Sequence, residues 1–248
     1  TGTAKATLKG HTKKVYEVSL HPTKPIVLSC SADKTARCWN TDGEQLHVLS
    51  THSGPVTACT LHSTGDYAVT ASSDKSWALH DLETGSPVFV VGNGTAGASR
   101  PARTSCGATR QRALPHVPAH ARTAHCTRAL GPRAPRERLR VSGYSCAGFH
   151  PDGLILGTAT EAVVRIWDVK SRDEVAALEG HQGAISCLAF SENGYYMASG
   201  AADGTVILWD LRKTKQFHAI TPAAGGAIGG VQFDYSGQFL TVGSNDVR

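Results

Sequence analysis

The feature that most constrains the fold is a unit at residues 180–212, in which three short apolar segments are separated by turn residues. Asn193-Gly194 and Asp203-Gly204 lie between the segments, and such pairs tolerate the positive φ that tight turns require. Short apolar segments bounded by turns predict strands. The predicted strands are 185–190, 195–200 and 205–209.

Four residues of this unit are placed to converge. His181 precedes the first strand, Ser199 lies in the second, Asp203 lies in the turn and Trp209 lies in the third. Because buried donors and acceptors need partners, we expect the Asp carboxylate to accept from His, and His to accept from Ser or from the Trp indole. The unit resembles a WD40 repeat, one four-stranded blade of a β-propeller.

The unit recurs with a constant interval of 28 residues from its His position to its Trp position. The matching residues are His11, Asp33 and Trp39 in one copy, and His52, Asp74 and His80 in the next. A third copy keeps only its back half, with Glu161 at the Asp position, and a fifth begins at 231. His/Asp pairs that recur in three of the copies indicate a structural role, whereas an active site would occur once. No catalytic residue is therefore predicted.

These copies predict an all-β fold, an incomplete WD40 β-propeller of about four blades plus a stub, where about seven close a ring. We assign 1–91 to blades one and two, 92–143 to an insert, and 144–248 to a partial blade three, blade four and the start of blade five. We interpret the chain as a fragment of a longer protein. Bare strand edges on such an arc predict low stability.

Neither a membrane span nor a ligand site is predicted. No run of 18 apolar residues occurs, as a membrane helix would need. The seven cysteines form no C-x-x-C pair, and five of them fall in or beside predicted strands, where a free thiol behaves as a small apolar group. This pattern favours a reducing, intracellular location without disulfides, metal or cofactor.

The positive charge is confined to the insert. Residues 92–143 hold ten Arg, no Lys and one acid, Glu137, while the rest of the chain is net acidic. Few large apolar residues occur there, so we expect disorder. Three explanations stay open: a basic arm that contacts phosphate backbones, a loop without a task, or translated intron or shifted-frame sequence.

Three further patterns in the insert are weak. The G-x-G-x-x-G at 92–97 lacks the following helix and the acid about 20 residues on that a dinucleotide site requires. Asn93 begins a glycosylation sequon, which we expect to be unused without a secretory signal. His116, His120 and His125 have helical metal-pair spacing, but Pro115 and Pro118 oppose a helix.

Several stretches go beyond the general repeat pattern. Trp77 lies inside a third strand, and His80-Asp81 replaces Trp-Asp in the second copy. Together with the stretches at 10–15, 64–85, 149–158, 190–198 and 208–213, this resembles the C-terminal propeller of the pre-mRNA-processing factor 19 family. The resemblance covers about 7–91 and 144–248, and leaves out 92–143.

The resemblance implies a nuclear scaffold of the spliceosome and of DNA repair. Full-length members are ubiquitin ligases in which a U-box recruits the conjugating enzyme, a coiled coil makes a homotetramer and the propeller holds spliceosomal and ubiquitin-pathway proteins. No residue here matches the U-box or the coiled coil. The expected role is therefore partner binding, with ligase activity a property of the whole protein. The alternative is a WD40 scaffold whose basic arm makes weak contacts to RNA or DNA.

The expected partner contacts are Lys13, Lys14, Tyr16, Lys75 and Trp77. The lysines flank loops near one rim, where propellers commonly meet partners. A solvated loop is the alternative for the lysines, and a place in the core is the alternative for the two aromatic residues.

Overall fold

The computed structural model describes residues 6–92, 143–222 and 226–244. In these ranges, 18 strands form five antiparallel sheets that belong to one compact unit. The chain therefore folds as successive blades of a β-propeller, as the repeats predict. The predicted disorder of the insert and its histidine and glycine motifs lie outside the described residues, apart from Gly92 and Gly143 at its two ends.

The first two sheets each contain four strands in sequential order. Blade 1 consists of β1 (Val15–Leu20), β2 (Ile26–Ser31), β3 (Ala36–Asn40) and β4 (Gln45–Leu49). Blade 2 consists of β5 (Val56–Leu61), β6 (Tyr67–Ser72), β7 (Ser76–Asp81) and β8 (Pro87–Gly92). Because each hairpin turn is short, consecutive strands pair with each other and the sheet needs no crossover.

The remaining sheets repeat this arrangement. Blade 3 consists of β9 (Cys146–Phe149), β10 (Ile155–Thr160), β11 (Val163–Asp168) and β12 (Asp173–Glu179). Blade 4 consists of β13 (Ile185–Phe190), β14 (Tyr196–Ala201), β15 (Val206–Asp210) and β16 (Lys215–Ile220). The fifth sheet pairs β17 (Ile228–Phe233) with β18 (Leu240–Ser244). In blade 4, β14 and β15 each begin and end one residue later than predicted.

Blade 3 is complete in its strands, whereas the sequence predicts only its back half. Its first strand is short and begins without a Gly-His pair. The Tyr144 amide instead donates to the Ser72 carbonyl of blade 2 (3.1 Å), and the Ser145 amide donates to the Ala159 carbonyl (2.9 Å). Backbone pairing needs no particular side chain, so the strand forms where the sequence signature is missing.

A bulge near the start of the first strand links neighbouring blades. In β5 and β13 the second residue has no cross-strand partner, because the register shifts there. The freed side chains reach the next blade, where the Thr57 hydroxyl donates to the Tyr144 carbonyl (2.7 Å) and the Ser186 hydroxyl donates to the Ile228 carbonyl. These bonds tie blade 2 to blade 3 and blade 4 to the fifth sheet.

A histidine at the first turn of three blades bonds to the next blade. The Nε2 atoms of His21, His62 and His150 lie 2.9, 3.1 and 2.8 Å from the carbonyl oxygens of Gly65, Gly153 and Gly194. All three glycines have positive φ. We call these contacts the His–Gly latches.

The apolar cores lie between successive blades. Trp77, Leu156 and Trp167 pack between blades 2 and 3, and Met197 and Ile185 pack in the cluster between blades 3 and 4. Stacked sheets must bury their inner faces in this way. No helix in the described part of the chain has the length and apolar character to cross a membrane.

Candidate functional site

The His, Ser, Asp and Trp residues of the repeat unit form hydrogen-bonded tetrads. In blade 4 the Trp209 indole N–H donates to the Ser199 hydroxyl (2.8 Å), and Ser199 Oγ lies 2.7 Å from His181 Nε2. His181 Nδ1 lies 3.1 Å from Thr205 Oγ1 and 3.7 Å from Asp203 Oδ2. Ser199 accepts from Trp and donates to His, so the Trp indole reaches His through the serine.

Blade 1 contains the same chain of bonds. The Trp39 indole donates to the Ser29 hydroxyl (2.8 Å), and His11 lies 2.8 Å from both Ser29 Oγ and Asp33 Oδ2. Ser29 was not predicted as a tetrad member, although it precedes Trp39 by the ten residues that separate Ser199 from Trp209. That interval is the signal that finds it.

The tetrad aspartates, Asp33 and Asp203, accept several hydrogen bonds within their own blades. Burial alone would raise the pKa of the Asp203 carboxyl, but hydrogen bonds from Thr205, Gln182 and Gly183 outweigh it and lower the pKa to about 2. Similar bonds from Thr35, His11 and Thr12 hold the pKa of Asp33 well below its ordinary value. These carboxylates therefore stay ionised and bound within their own blades.

Blade 2 replaces the tetrad Trp with His80. Thr70 Oγ1 lies between the Nε2 atoms of His52 (2.8 Å) and His80 (2.9 Å). His52 Nδ1 lies 3.2 Å from Asp74 Oδ2 and donates to it, so His52 Nε2 accepts the single Thr70 hydroxyl proton. His80 must therefore donate to Thr70 from Nε2, which leaves its Nδ1 as an acceptor; that Nδ1 is buried and has no partner among the described residues. Burial, with a smaller contribution from His52, lowers the pKa of His80 to about 4.

The His80 environment predicts a loss of stability in mild acid. Unfolded His80 binds a proton below about pH 6.5, whereas the folded residue does so only near pH 4. The free energy of unfolding should therefore fall as pH drops from about 6.5 to 4, by up to about 1.4 kcal/mol per pH unit for this residue. Urea unfolding at pH 7, 6 and 5 measures this change, and the free energy of unfolding should vary less with pH in His80→Gln than in the parent chain.

His218→Gln is the matched control, because His218 is exposed. Its pH profile should follow that of the parent. Burial also lowers the pKa of His52, so a smaller slope of the same sign should remain in His80→Gln. Identical slopes for His80→Gln and the parent would contradict the assignment.

Trp77, predicted as a partner contact, belongs to the core. Its side chain is fully buried, and its ring centroid lies 5.5 Å from that of Phe89 and 5.8 Å from that of Trp167. The strand pleat turns Trp77 into the gap between blades 2 and 3. It is therefore unavailable to a partner of the folded chain.

The other predicted contacts are exposed, and three of them adjoin one another. Lys13 and Lys14 lead into β1, and their carbonyls accept from the Ser31 hydroxyl (3.2 and 2.9 Å). The Lys14 Nζ lies 5.3 Å from the centre of the Tyr16 ring, which is 47% exposed. The loop is thus held on the turn between β2 and β3 while its side chains face solvent.

The turn between β2 and β3 contains a further exposed lysine, Lys34, which is not among the predicted contacts. Lys34 follows Asp33 just as Lys75 follows Asp74, and both lysines have positive φ, 72° and 71°. In an up-and-down sheet this turn and the loop before the first strand share one end. Both Asp residues bond within their blades, which leaves the lysines as exposed charge. We define the lysine rim as Lys13, Lys14, Lys34 and Lys75.

Comparison with known proteins identifies the repeats. The family model for the WD domain, G-beta repeat, matches residues 2–40, 43–81 and 172–210. Each of the last two matches begins with the outer strand of one blade and ends with the third strand of the next, so these sequence repeats span two blades. The matched residues leave out the front of blade 3, where the Gly-His pair is absent.

Curated relatives align over almost the whole chain. Pre-mRNA-processing factor 19 of Oryza sativa subsp. japonica is 38% identical over 248 residues, and its homolog 2 of Arabidopsis thaliana is 36% identical, each covering 98% of this chain. The Bos taurus protein is 38% identical over 245 residues. The aligned span crosses 92–143, which the residue-by-residue resemblance leaves out.

The chain spans only 38% to 40% of the length of these relatives. Within that span the repeats, the blades and the alignments agree. The chain therefore contains WD40 repeats, and it is similar along almost its entire length to pre-mRNA-processing factor 19 proteins.

Proposed function

We propose that this chain is a protein-interaction scaffold, the partner-binding WD40 part of a spliceosome-associated ubiquitin ligase that acts in the nucleus in pre-mRNA splicing and DNA repair. The observation that carries the proposal is the alignment of 98% of the chain with proteins named for pre-mRNA processing. The repeated His/Asp pairs are bound within structural tetrads, so none is assigned a catalytic role. Ubiquitin transfer would belong to a U-box in the whole protein.

The lysine rim is the surface that we assign to partner binding. Its four side chains are exposed, and Tyr16 offers a half-exposed ring beside Lys14. Aromatic rings next to cations are common at protein interfaces, where they contribute apolar area and a charge together. An acidic segment of a splicing protein would complement this rim, and charge complementarity would mainly set the association rate.

Charge reversal tests the assignment. The chain with Lys13, Lys14, Lys34 and Lys75 all changed to Glu should lose most of its binding to purified splicing complexes, measured by quantitative crosslinking. The matched control changes four exposed lysines at the opposite rim, Lys24, Lys170, Lys213 and Lys215, and should bind as the parent does. Equal loss in both variants would reject the lysine rim as the contact surface. Absence of binding by the parent would reject the scaffold function.

Nucleic-acid binding is the second candidate, because 92–143 concentrates ten Arg against one acid. Arg side chains that neutralise phosphates release counterions, so affinity for single-stranded RNA should fall steeply with salt. Deletion of 92–143 should abolish this binding and leave binding to splicing proteins intact. RNA binding that survives the deletion would reject the basic arm.

A further inference from the structure

Three potential metal ligands meet between blades 1 and 2, although they are far apart in sequence. One carboxylate oxygen of Glu17 and the Sγ atoms of Cys30 and Cys59 all lie within 4.8 Å of one another. Glu17 and Cys30 are cross-strand partners in β1 and β2, and Cys59 lies in β5 of the next blade. The group is assembled only when the two blades pack.

The surroundings fix the ligand atoms. The Cys59 amide donates to Glu17 Oε2 (2.9 Å), which turns the carboxylate toward the interblade gap. Cys30 and Cys59 are almost fully buried among Leu28, Val56 and other apolar residues, while Glu17 is exposed along β1. The cluster therefore has two buried thiols and one carboxylate, and a cation could reach it from solvent on the Glu17 side.

Three acidic groups share this gap without a balancing cation among the described contacts. The Cys30 thiol, together with burial and the Glu17 carboxylate, raises the pKa of Cys59 well above its ordinary value. Burial raises the pKa of Glu17, although the Cys59 amide partly opposes this. A divalent cation reverses this balance, because it stabilises the thiolate and carboxylate forms that burial penalises.

We propose that Glu17, Cys30 and Cys59 form a binding site for Zn²⁺ or a similar thiolate-preferring divalent cation. Two thiolates and a carboxylate are ligands that Zn²⁺ takes, with a water completing a tetrahedral site. Zn²⁺–ligand distances of about 2.0–2.3 Å require donor atoms roughly 3.5–3.8 Å apart, so the three atoms need to approach one another by at most about 1.3 Å. Binding would release the two thiol protons and clamp blade 1 to blade 2.

A disulfide between Cys30 and Cys59 is the competing chemistry. A cation would engage all three ligand atoms of the cluster, whereas a disulfide would use only the two thiols. The geometry therefore favours the metal, and the experiment distinguishes the two.

The probe is Co²⁺, whose thiolate complexes absorb through sulfur-to-metal charge transfer and, when tetrahedral, through visible d–d bands. The reduced chain should bind one equivalent at this site, and Zn²⁺ should displace it. The test variants are Glu17→Ala, Cys30→Ala and Cys59→Ala. Alanine already occupies the corresponding register positions in other blades. Ala58 and Ala71 of blade 2 correspond to Glu17 and Cys30, and Ala147 of blade 3 corresponds to Cys59. The blades thus already accommodate these substitutions.

Cys30→Ala and Cys59→Ala should each abolish the site's charge-transfer band, and Glu17→Ala should weaken binding by at least about tenfold, the lower end of the loss seen for outer-sphere changes. Cys187→Ala is the control, since Cys187 lies between blade 4 and the fifth sheet and should leave the band unchanged. All of these chains also carry Cys106→Ser and Cys126→Ser, so that only cysteines of the blades respond.

Zn²⁺ should also raise the melting temperature of the parent but not of Cys59→Ala, because a ligand stabilises only the state that binds it. A band that persists in Cys30→Ala or Cys59→Ala would overturn the proposal, as would a parent that binds no Co²⁺. A thiol titration would indicate a disulfide instead of the metal site if the parent showed two fewer reactive thiols before reduction than after it. Cys59→Ala should then show no such difference.

Discussion

Trp209→Ala should lower the free energy of unfolding by about 3–5 kcal/mol, the cost typical of removing a large buried aromatic side chain. The Trp209 ring is 2% exposed and packs in the cluster that contains Met197 and Ile185. Its indole also donates to Ser199, so the substitution removes one of the bonds of a buried hydroxyl. Urea unfolding followed by circular dichroism measures the change without relying on Trp fluorescence.

Two further variants separate packing from hydrogen bonding at this position. Trp209→Phe keeps most of the ring volume and loses the N–H donor, so it should cost about 1–3 kcal/mol. Tyr235→Ala removes an aromatic ring that is 91% exposed and should change stability by no more than about 0.5 kcal/mol. If Trp209→Ala were no more destabilising than Tyr235→Ala, the blade 4 tetrad would not be part of the core.

Gly65→Ala should be the second most damaging change, at about 2–4 kcal/mol, because it combines backbone strain with a broken latch. Gly65 has a φ of 79°, which disfavours any side chain, and an added Cβ would lie 2.2 Å from the His21 ring. His21 would have to leave the Gly65 carbonyl, to which it bonds across blades 1 and 2. Urea unfolding of the variant and the parent measures the loss.

Gly230→Ala is the matched control, since an added Cβ there meets nothing within 4 Å and φ is not positive. It should change stability by less than about 0.5 kcal/mol. In a His21→Ala background the clash is already gone, so Gly65→Ala should cost only the roughly 1–2 kcal/mol of the left-handed backbone. Equal costs in both backgrounds would show that His21 and Gly65 are not coupled.

The tetrads were predictable because their geometry is local. His181, Ser199, Asp203 and Trp209 lie within one repeat, and the pairing of consecutive strands brings the same positions together in blades 1, 2 and 4. Ser29 is found by the same interval once one copy is understood. Sequence spacing within an antiparallel sheet translates almost directly into cross-strand position.

The exposure of the predicted contact residues was predicted less well, because it depends on the neighbouring blade. The strand pattern places Trp77 in β7 but does not say that Trp167 of blade 3 covers it. The exposed Lys34 was not predicted, although the pair Asp33-Lys34 recurs as Asp74-Lys75. That these lysines face solvent becomes evident only once both aspartates are seen to bond within their own blades.

The sequence by itself determined the blade, because periodic turns, alternating strands and the His-to-Trp interval are all properties of one repeat of about 40 residues. Only the tertiary structure decided what lies between blades. It completed blade 3 through backbone bonds and formed the His–Gly latches. It also brought Glu17, Cys30 and Cys59 together. These contacts join residues of different repeats. Two of the latches span the same 44 residues, but that interval alone does not say which side chains of one sheet pack on the next.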